Sequence, residues 1–196
     1  MKKLTGLILG ILLIVGMLSS GCKKEEETPK NHMLYDGVEY DLSQGVLDYW
    51  GQAGEGSYIL DLVLLSSGFT LHEVGGEIDS LSGIGHGIVI ELFSSSSTEL
   101  VAGDYIWNSE GNGQIGTFEY ADAVFNWNSQ TDDGSDAVAN GGRVNVSNNG
   151  DEYEIGLDLT MEDGKTLTGF YKGALKYYNS EYANRATDKG KSLFIK

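Results

Sequence analysis

Tyr153-Glu154-Ile155-Gly156-Leu157-Asp158-Leu159-Thr160-Met161 is the stretch whose reading decides the fold class. Its apolar set, Tyr153, Ile155, Leu157, Leu159 and Met161, alternates with Glu154, Gly156, Asp158 and Thr160. A period of two puts one face of a strand into a core and the other into water. Upstream, Gly142-Arg143-Val144-Asn145-Val146-Ser147 alternates as well, and Asn149-Gly150 between the two supplies the positive φ angles of a tight hairpin turn. Downstream, Asp163-Gly164 repeats that device before a strand spanning Thr166–Tyr178. Three successive strands joined by short turns predict an antiparallel meander.

Earlier segments carry the same signal over Val38–Leu42, Gly45–Trp50, Tyr58–Leu65, Gly87–Phe93, Asp104–Trp107 and Thr117–Trp127. The last of these changes phase, because Phe118 and Tyr120 share one face while Phe125 and Trp127 share the other. A bulge near Asp122, or two shorter strands, is the expectation. No window of helical length beyond residue 22 shows a 3.6-residue period. The chain has one proline, 28 glycines and 11 tyrosines, a composition that suits strands with glycine and asparagine turns. The fold class is therefore all-β, an antiparallel meander of about nine strands folded into a β-sandwich or a barrel. Gly45-Val46-Leu47-Asp48-Tyr49-Trp50 and Gly173-Ala174-Leu175-Lys176-Tyr177-Tyr178 echo one another. If the two strands are neighbours, Asp48 and Lys176 can pair across them and the sheet approaches closure.

The N-terminus sets the compartment. Lys2 and Lys3 precede an apolar run from Leu4 to Leu18, an export signal by its charge and its length. That run is short for a spanning helix, which needs about 20 residues. Small residues Ser19, Ser20 and Gly21 lead into Cys22, the only cysteine, which rules out an internal disulfide. The organisation expected is a signal over 1–21, a lipidated Cys22 with a charged tether over 22–33, and one all-β domain over 34–196, with order beginning near Tyr35. Without Lys2 and Lys3, 11 of the 13 basic residues remain against 29 acidic ones, a formal charge of −18. Nucleic acid and anionic headgroups both repel such a chain.

Most motifs that would carry chemistry fail on context. Gly111-Asn112-Gly113-Gln114-Ile115-Gly116 has the dinucleotide-binding spacing, but β-like Thr117-Phe118-Glu119-Tyr120 follows where a helix is required. Gly83-Ile84-Gly85-His86-Gly87 lacks the lysine and the helix of a phosphate loop. His32, His72 and His86 are scattered, and no nucleophile elbow or paired-histidine helix is present. No cofactor and no enzymatic activity are expected. Asp132, Asp133 and Asp136 gather oxygen ligands in one loop and are the candidate Ca²⁺ site, without the spacing of an EF-hand. Trp50, Trp107, Trp127, Tyr177 and Tyr178 fall at or near strand ends, where rings can stack on a sugar or pack against a partner, and are the candidate ligand-binding residues.

Leu18-Ser19-Ser20-Gly21-Cys22 resembles the lipobox of bacterial lipoproteins. With Lys23-Lys24-Glu25-Glu26-Glu27 behind it and glycine-punctuated strands ahead, the chain is similar to the small surface lipoproteins of Bacteroidota. That resemblance implies acylation of Cys22 and reads Lys23, Lys24, Glu25, Glu26 and Glu27 as a signal for export to the outer face of the outer membrane. Asp79-Ser80-Leu81 resembles the O-glycosylation site of the same bacteria. The expectation is a lipid-anchored, outward-facing module that binds a glycan or another extracellular ligand without catalysis. The alternative is a structural or adhesive surface component that contacts other proteins.

Overall fold

A computed structural model of the chain describes residues 29–181; the stretch read as an export signal, Cys22 and the charged run behind it lie outside the described residues. Twelve strands are formed: β1 (His32–Tyr35), β2 (Val38–Asp41), β3 (Gln44–Gly54), β4 (Ser57–Leu65), β5 (Phe69–Val74), β6 (Glu77–Ser94), β7 (Gly103–Trp107), β8 (Thr117–Asn128), β9 (Asp133–Asn149), β10 (Glu152–Met161), β11 (Thr166–Gly173) and β12 (Lys176–Asn179). Eleven lie in one continuous path, β12-β3-β4-β6-β8-β7-β9-β10-β11-β1-β2, and β5 pairs with β6 alone. The sheet curls into a half-barrel. No helix occurs among the described residues.

The all-β expectation holds, and the meander β9–β10–β11 lies where the alternation put it. Ile155 pairs with Val146, Leu157 with Val144 and Gly169, and Leu159 with Leu167. Gly150 (φ 71°) and Gly164 (φ 80°) make the two turns. The pairing is mixed, however, because β12 runs parallel to β3 and β7 parallel to β8. Two strands escaped the reading. β1 has only four residues behind a charged run, yet Met33 is fully buried, and Asp36-Gly37 (φ 51° and 77°) turns the chain into β2. β1 therefore begins at His32, ahead of Tyr35. β5 and the first half of β6 form a hairpin that leaves the wall. The stretch read as one strand from Thr166 to Tyr178 is two, because the chain turns at Ala174-Leu175, where the Tyr171 hydroxyl donates to the Ala174 carbonyl at 2.9 Å.

The phase change in β8 is produced by two irregularities rather than one near Asp122. Glu119 is the extra residue between Phe118 and Tyr120, and a second register shift falls at Phe125 to Asn128, where Asn126 takes a φ of 50°. Phe118, Ala121, Ala123 and Phe125 thus all point into the barrel, while Val124 and Trp127 pack outside.

Two cores result. The inner one is lined by alternate residues all round the sheet, among them Leu47, Leu60, Leu62, Leu64, Ile88 and Ile90. The outer one lies on β3, β4, β6, β8 and β12, where the β5–β6 hairpin folds back over Val46, Val63, Val89, Val124, Trp127 and Tyr178. That second layer explains why Ile59 to Leu65 read as a nearly unbroken apolar run instead of an alternation: both faces of β4 are buried. The hairpin leaves the wall where Gly68 and Gly83 cross. A Cβ on Gly83, which has a φ of 115°, would stand 2.1 Å from the Gly68 carbonyl oxygen. Backbone faces that Cβ, so it cannot yield as a side chain would. Gly83→Ala is expected to cost roughly 2–4 kcal/mol, read as a lower denaturation midpoint with an unchanged m-value. A variant as stable as the parent would show that the crossing is looser than this.

Candidate functional site

The five candidate aromatic residues do not meet at one platform. Trp127 is a core residue: it lies under the hairpin, edge-on to Phe69 at 6.0 Å between centroids, and its indole N–H donates to Asp132 at 2.9 Å. Tyr178 is buried in the same outer core, with its hydroxyl donating to Glu73 at 2.7 Å. Trp107 is half-buried against Phe118 at 5.3 Å, and Trp50 is half-buried at the β3 bulge between Tyr49 and Gly51. Tyr177 is 38% exposed and donates to the Ser97 carbonyl. The reason is common to Trp107, Trp127 and Tyr178: strand ends that look like rims in sequence are covered here by a second layer or packed on the inner core.

Nor do Asp132, Asp133 and Asp136 form a cation site. Asp132 sits in the turn with a φ of 60° and accepts the Trp127 indole, while Asp133 and Asp136 fall in β9. Among the described residues no group of three acidic, histidine or cysteine side chains is placed to share a metal ion. His86 serves structure. Its Nδ1 accepts the backbone N–H of Asn126 at 3.0 Å, its ring lies edge-on to Tyr40, and burial lowers its pKa.

The echoing segments are neighbours, as β12 on β3, in parallel register with Lys176 opposite Val46 and Tyr178 opposite Asp48. The pair expected between Asp48 and Lys176 does not form. Parallel register carries Lys176 two positions away from Asp48 and over the hairpin, where its ammonium binds Glu73. Asp48 accepts instead from the Ser180 hydroxyl at 3.0 Å, and burial pushes its carboxyl up to about 6.

What the echo marks is a seam. The turn from β11 into β12 links the two sides of the sheet, and Gly45 and Gly173 let it close on Tyr171. A Cβ on Gly45 would stand 2.5 Å from Leu175 Cδ2 and 2.7 Å from the Tyr171 hydroxyl; one on Gly173 would stand 2.8 Å from that hydroxyl. Beside this contact lies an open cleft of about 480 Å³. Asn31, Gln44, Tyr171 and Lys172 supply its polar groups, Leu71 and Leu175 an apolar patch, and Lys176 its far rim. The walls are fixed by hydrogen bonds. Asn31 exchanges two with the Lys172 backbone at 2.7 and 3.0 Å, and the Gln44 amide donates to the carbonyls of Ser66 and Phe69 at 3.1 and 3.0 Å. Lys172 is held by Glu154 at 2.7 Å, a hydrogen bond that raises its pKa. No carboxylate or histidine lines the cleft. Its ionisable groups are two lysines, each paired with a glutamate outside the lining, and a phenol whose pKa burial raises. Such a lining can orient a polar ligand through its amide, hydroxyl and ammonium groups.

Of these residues the sequence reading touched only Leu175, Lys176 and the glycines of the echo. Asn31, Gln44, Tyr171 and Lys172 are far apart along the chain and follow no motif. No family model, no curated protein and no solved structure matches the chain.

Proposed function

We propose that the chain is a lipid-anchored, outward-facing binding module that holds a polar extracellular ligand, an oligosaccharide by class, in the cleft at the sheet seam. The observation that carries this reading is the cleft itself: about 480 Å³, within the range of small-ligand sites, with fixed amide, hydroxyl and ammonium groups beside an apolar patch. Each lysine, though paired with a glutamate, keeps N–H donors for the acidic oxygens of a ligand, which favours an acidic sugar over a neutral one. Support for the anchor comes from sequence: the lipobox-like run into Cys22 and the acidic residues directly behind it. Replacing Cys22 with Ala should abolish fatty-acid labelling of the protein. A variant that still took up labelled lipid would remove the anchor from the proposal. Display of the mature domain on neutral and acidic glycan arrays tests the binding, with acidic hits expected.

The alternative, a surface component that contacts other proteins, rests on the open edge at β2, where Val38 and, on the adjoining β1, Leu34 are 49% and 40% exposed. That edge is four residues long and carries Glu39 and Asp41, the short charged form that discourages strand addition. The cleft is the stronger feature.

A further inference from the structure

β5 pairs with β6 alone, so one edge of it has no strand beside it among the described residues. In an antiparallel pair, residues that exchange backbone hydrogen bonds with the partner alternate with residues whose N–H and C=O point away from it. Both ends of the β5–β6 hairpin fix that phase. At the root, Phe69 lies opposite Gly83, yet its N–H donates to the Ser66 carbonyl at 3.3 Å and its C=O accepts from the Gln44 amide at 3.0 Å. At the tip, the two-residue turn Gly75-Gly76 (φ 68° and 92°) makes Val74 and Glu77 a bonded pair. Counted along β5 from either end, Thr70 and His72 bond to β6, and Leu71 turns its N–H and C=O to the open edge.

That edge borders the seam cleft. Gln44, which holds the Phe69 carbonyl, and Lys176, which binds Glu73, both line the cleft, and so does Leu71 between those two anchored positions of β5. The Leu71 N–H and C=O make no hydrogen bond outside the β5–β6 ladder among the described residues. The cleft therefore offers a backbone donor and acceptor, the apolar side chains of Leu71 and Leu175, and the remaining N–H donors of Lys172 and Lys176. Resting on the reading of this cleft as an acidic-oligosaccharide site, we propose that the sugar it holds is N-acetylated. The acetamido carbonyl accepts the Leu71 N–H, its methyl lies against Leu71 and Leu175, and the acid group meets the lysines. An acetamido group joins a strong acceptor to a methyl, whereas a hydroxyl or a carboxylate accepts from an N–H but brings nothing to cover the apolar patch. A neighbouring ring hydroxyl donates to the Leu71 carbonyl. Sialic acid at the ends of glycans and N-acetylmuramic acid in cell-wall glycan share this chemistry.

The test is calorimetric titration of the mature chain with sialyllactose and with the N-acetylglucosaminyl-N-acetylmuramic acid disaccharide. Each is run beside an analogue whose acetamido group on the acidic sugar is replaced by a hydroxyl. The probe that binds identifies the source, and it should bind about tenfold or more tightly than its analogue, which lacks the methyl and the placed acceptor. Two variants separate the Leu71 N–H from its side chain. Leu71→Ala keeps the N–H, and Leu71→Pro removes it; proline is tolerated where the N–H faces away from the ladder. Their Tm values should agree to within about 2 °C, whereas Thr70→Pro, which breaks a ladder bond, should lower the Tm by roughly 6 °C or more. Leu71→Pro should bind the acetamido sugar about tenfold more weakly than Leu71→Ala, with no difference between the two for the hydroxyl analogue. Leu71→Pro as unstable as Thr70→Pro overturns the edge assignment and the inference with it. Equal affinity for sugar and analogue, or equal affinity of the two Leu71 variants, overturns the inference and leaves the cleft an acidic-sugar site. Wild type that binds other acidic glycans but neither probe does the same; wild type that binds no acidic glycan removes both readings.

Discussion

Trp127→Ala is expected to destabilise the domain by about 3–5 kcal/mol, the range for emptying a large buried aromatic site. Trp127 is only 7% exposed, closes the outer core against Phe69, Val124 and the hairpin, and fixes the Asp132 turn through its indole N–H. Losing the ring leaves the β5–β6 hairpin without its largest contact, so amides of Phe69–Val74 should exchange faster than those of β10. Denaturant unfolding measures the first effect and hydrogen exchange the second. A change below 1 kcal/mol would mean that Trp127 is a surface ring and that the outer layer is wrongly described.

Asp48→Asn should act in the opposite direction. The carboxyl has an ordinary value of 3.8 and rises to about 6 in the fold, mainly through burial. Below the ordinary value it is neutral in both states and costs nothing. As pH rises, the unfolded chain ionises first, so stability is lost progressively until the folded carboxyl has ionised at about 6. Asparagine removes that loss while keeping an acceptor for Ser180. The variant should match wild type at pH 3.5 and exceed it at pH 8 by up to about 3 kcal/mol, at 1.36 kcal/mol per pH unit of displacement. A gain equal at both pH values would mean that ionisation of Asp48 is not what the fold resists.

Strand identity was legible wherever one face is wet. Tyr153 to Met161 and Gly142 to Ser147 showed it because their outer faces meet solvent, and the glycine turns fixed their register. Legibility failed where a second layer covers the wall. The alternation in β4 is erased by burial on both faces, and in β5 a register shift between His72 and Glu73 breaks the period. Trp127 and Tyr178 looked like rim aromatics because a sequence does not reveal that a hairpin folds back over them. The seam was half-legible. The echo of Gly45 and Gly173 pointed to adjacent strands, but not to their parallel direction, and that direction sends Lys176 to Glu73 rather than to Asp48. The cleft was illegible, since its walls meet only after β11 and β12 have turned onto β3.

The most direct measurement is glycan-array binding by the mature domain with and without a plug in that cleft. Ala174 is exposed on the cleft wall and Tyr171 bonds only to its carbonyl, so Ala174→Trp fills the space without entering either core. Wild type should bind acidic oligosaccharides, and Ala174→Trp, at unchanged Tm, should lose at least tenfold in affinity for the same glycans. A folded plugged variant that binds them as tightly as wild type, or a wild-type domain that binds none, would contradict the assignment of the seam cleft as the ligand site.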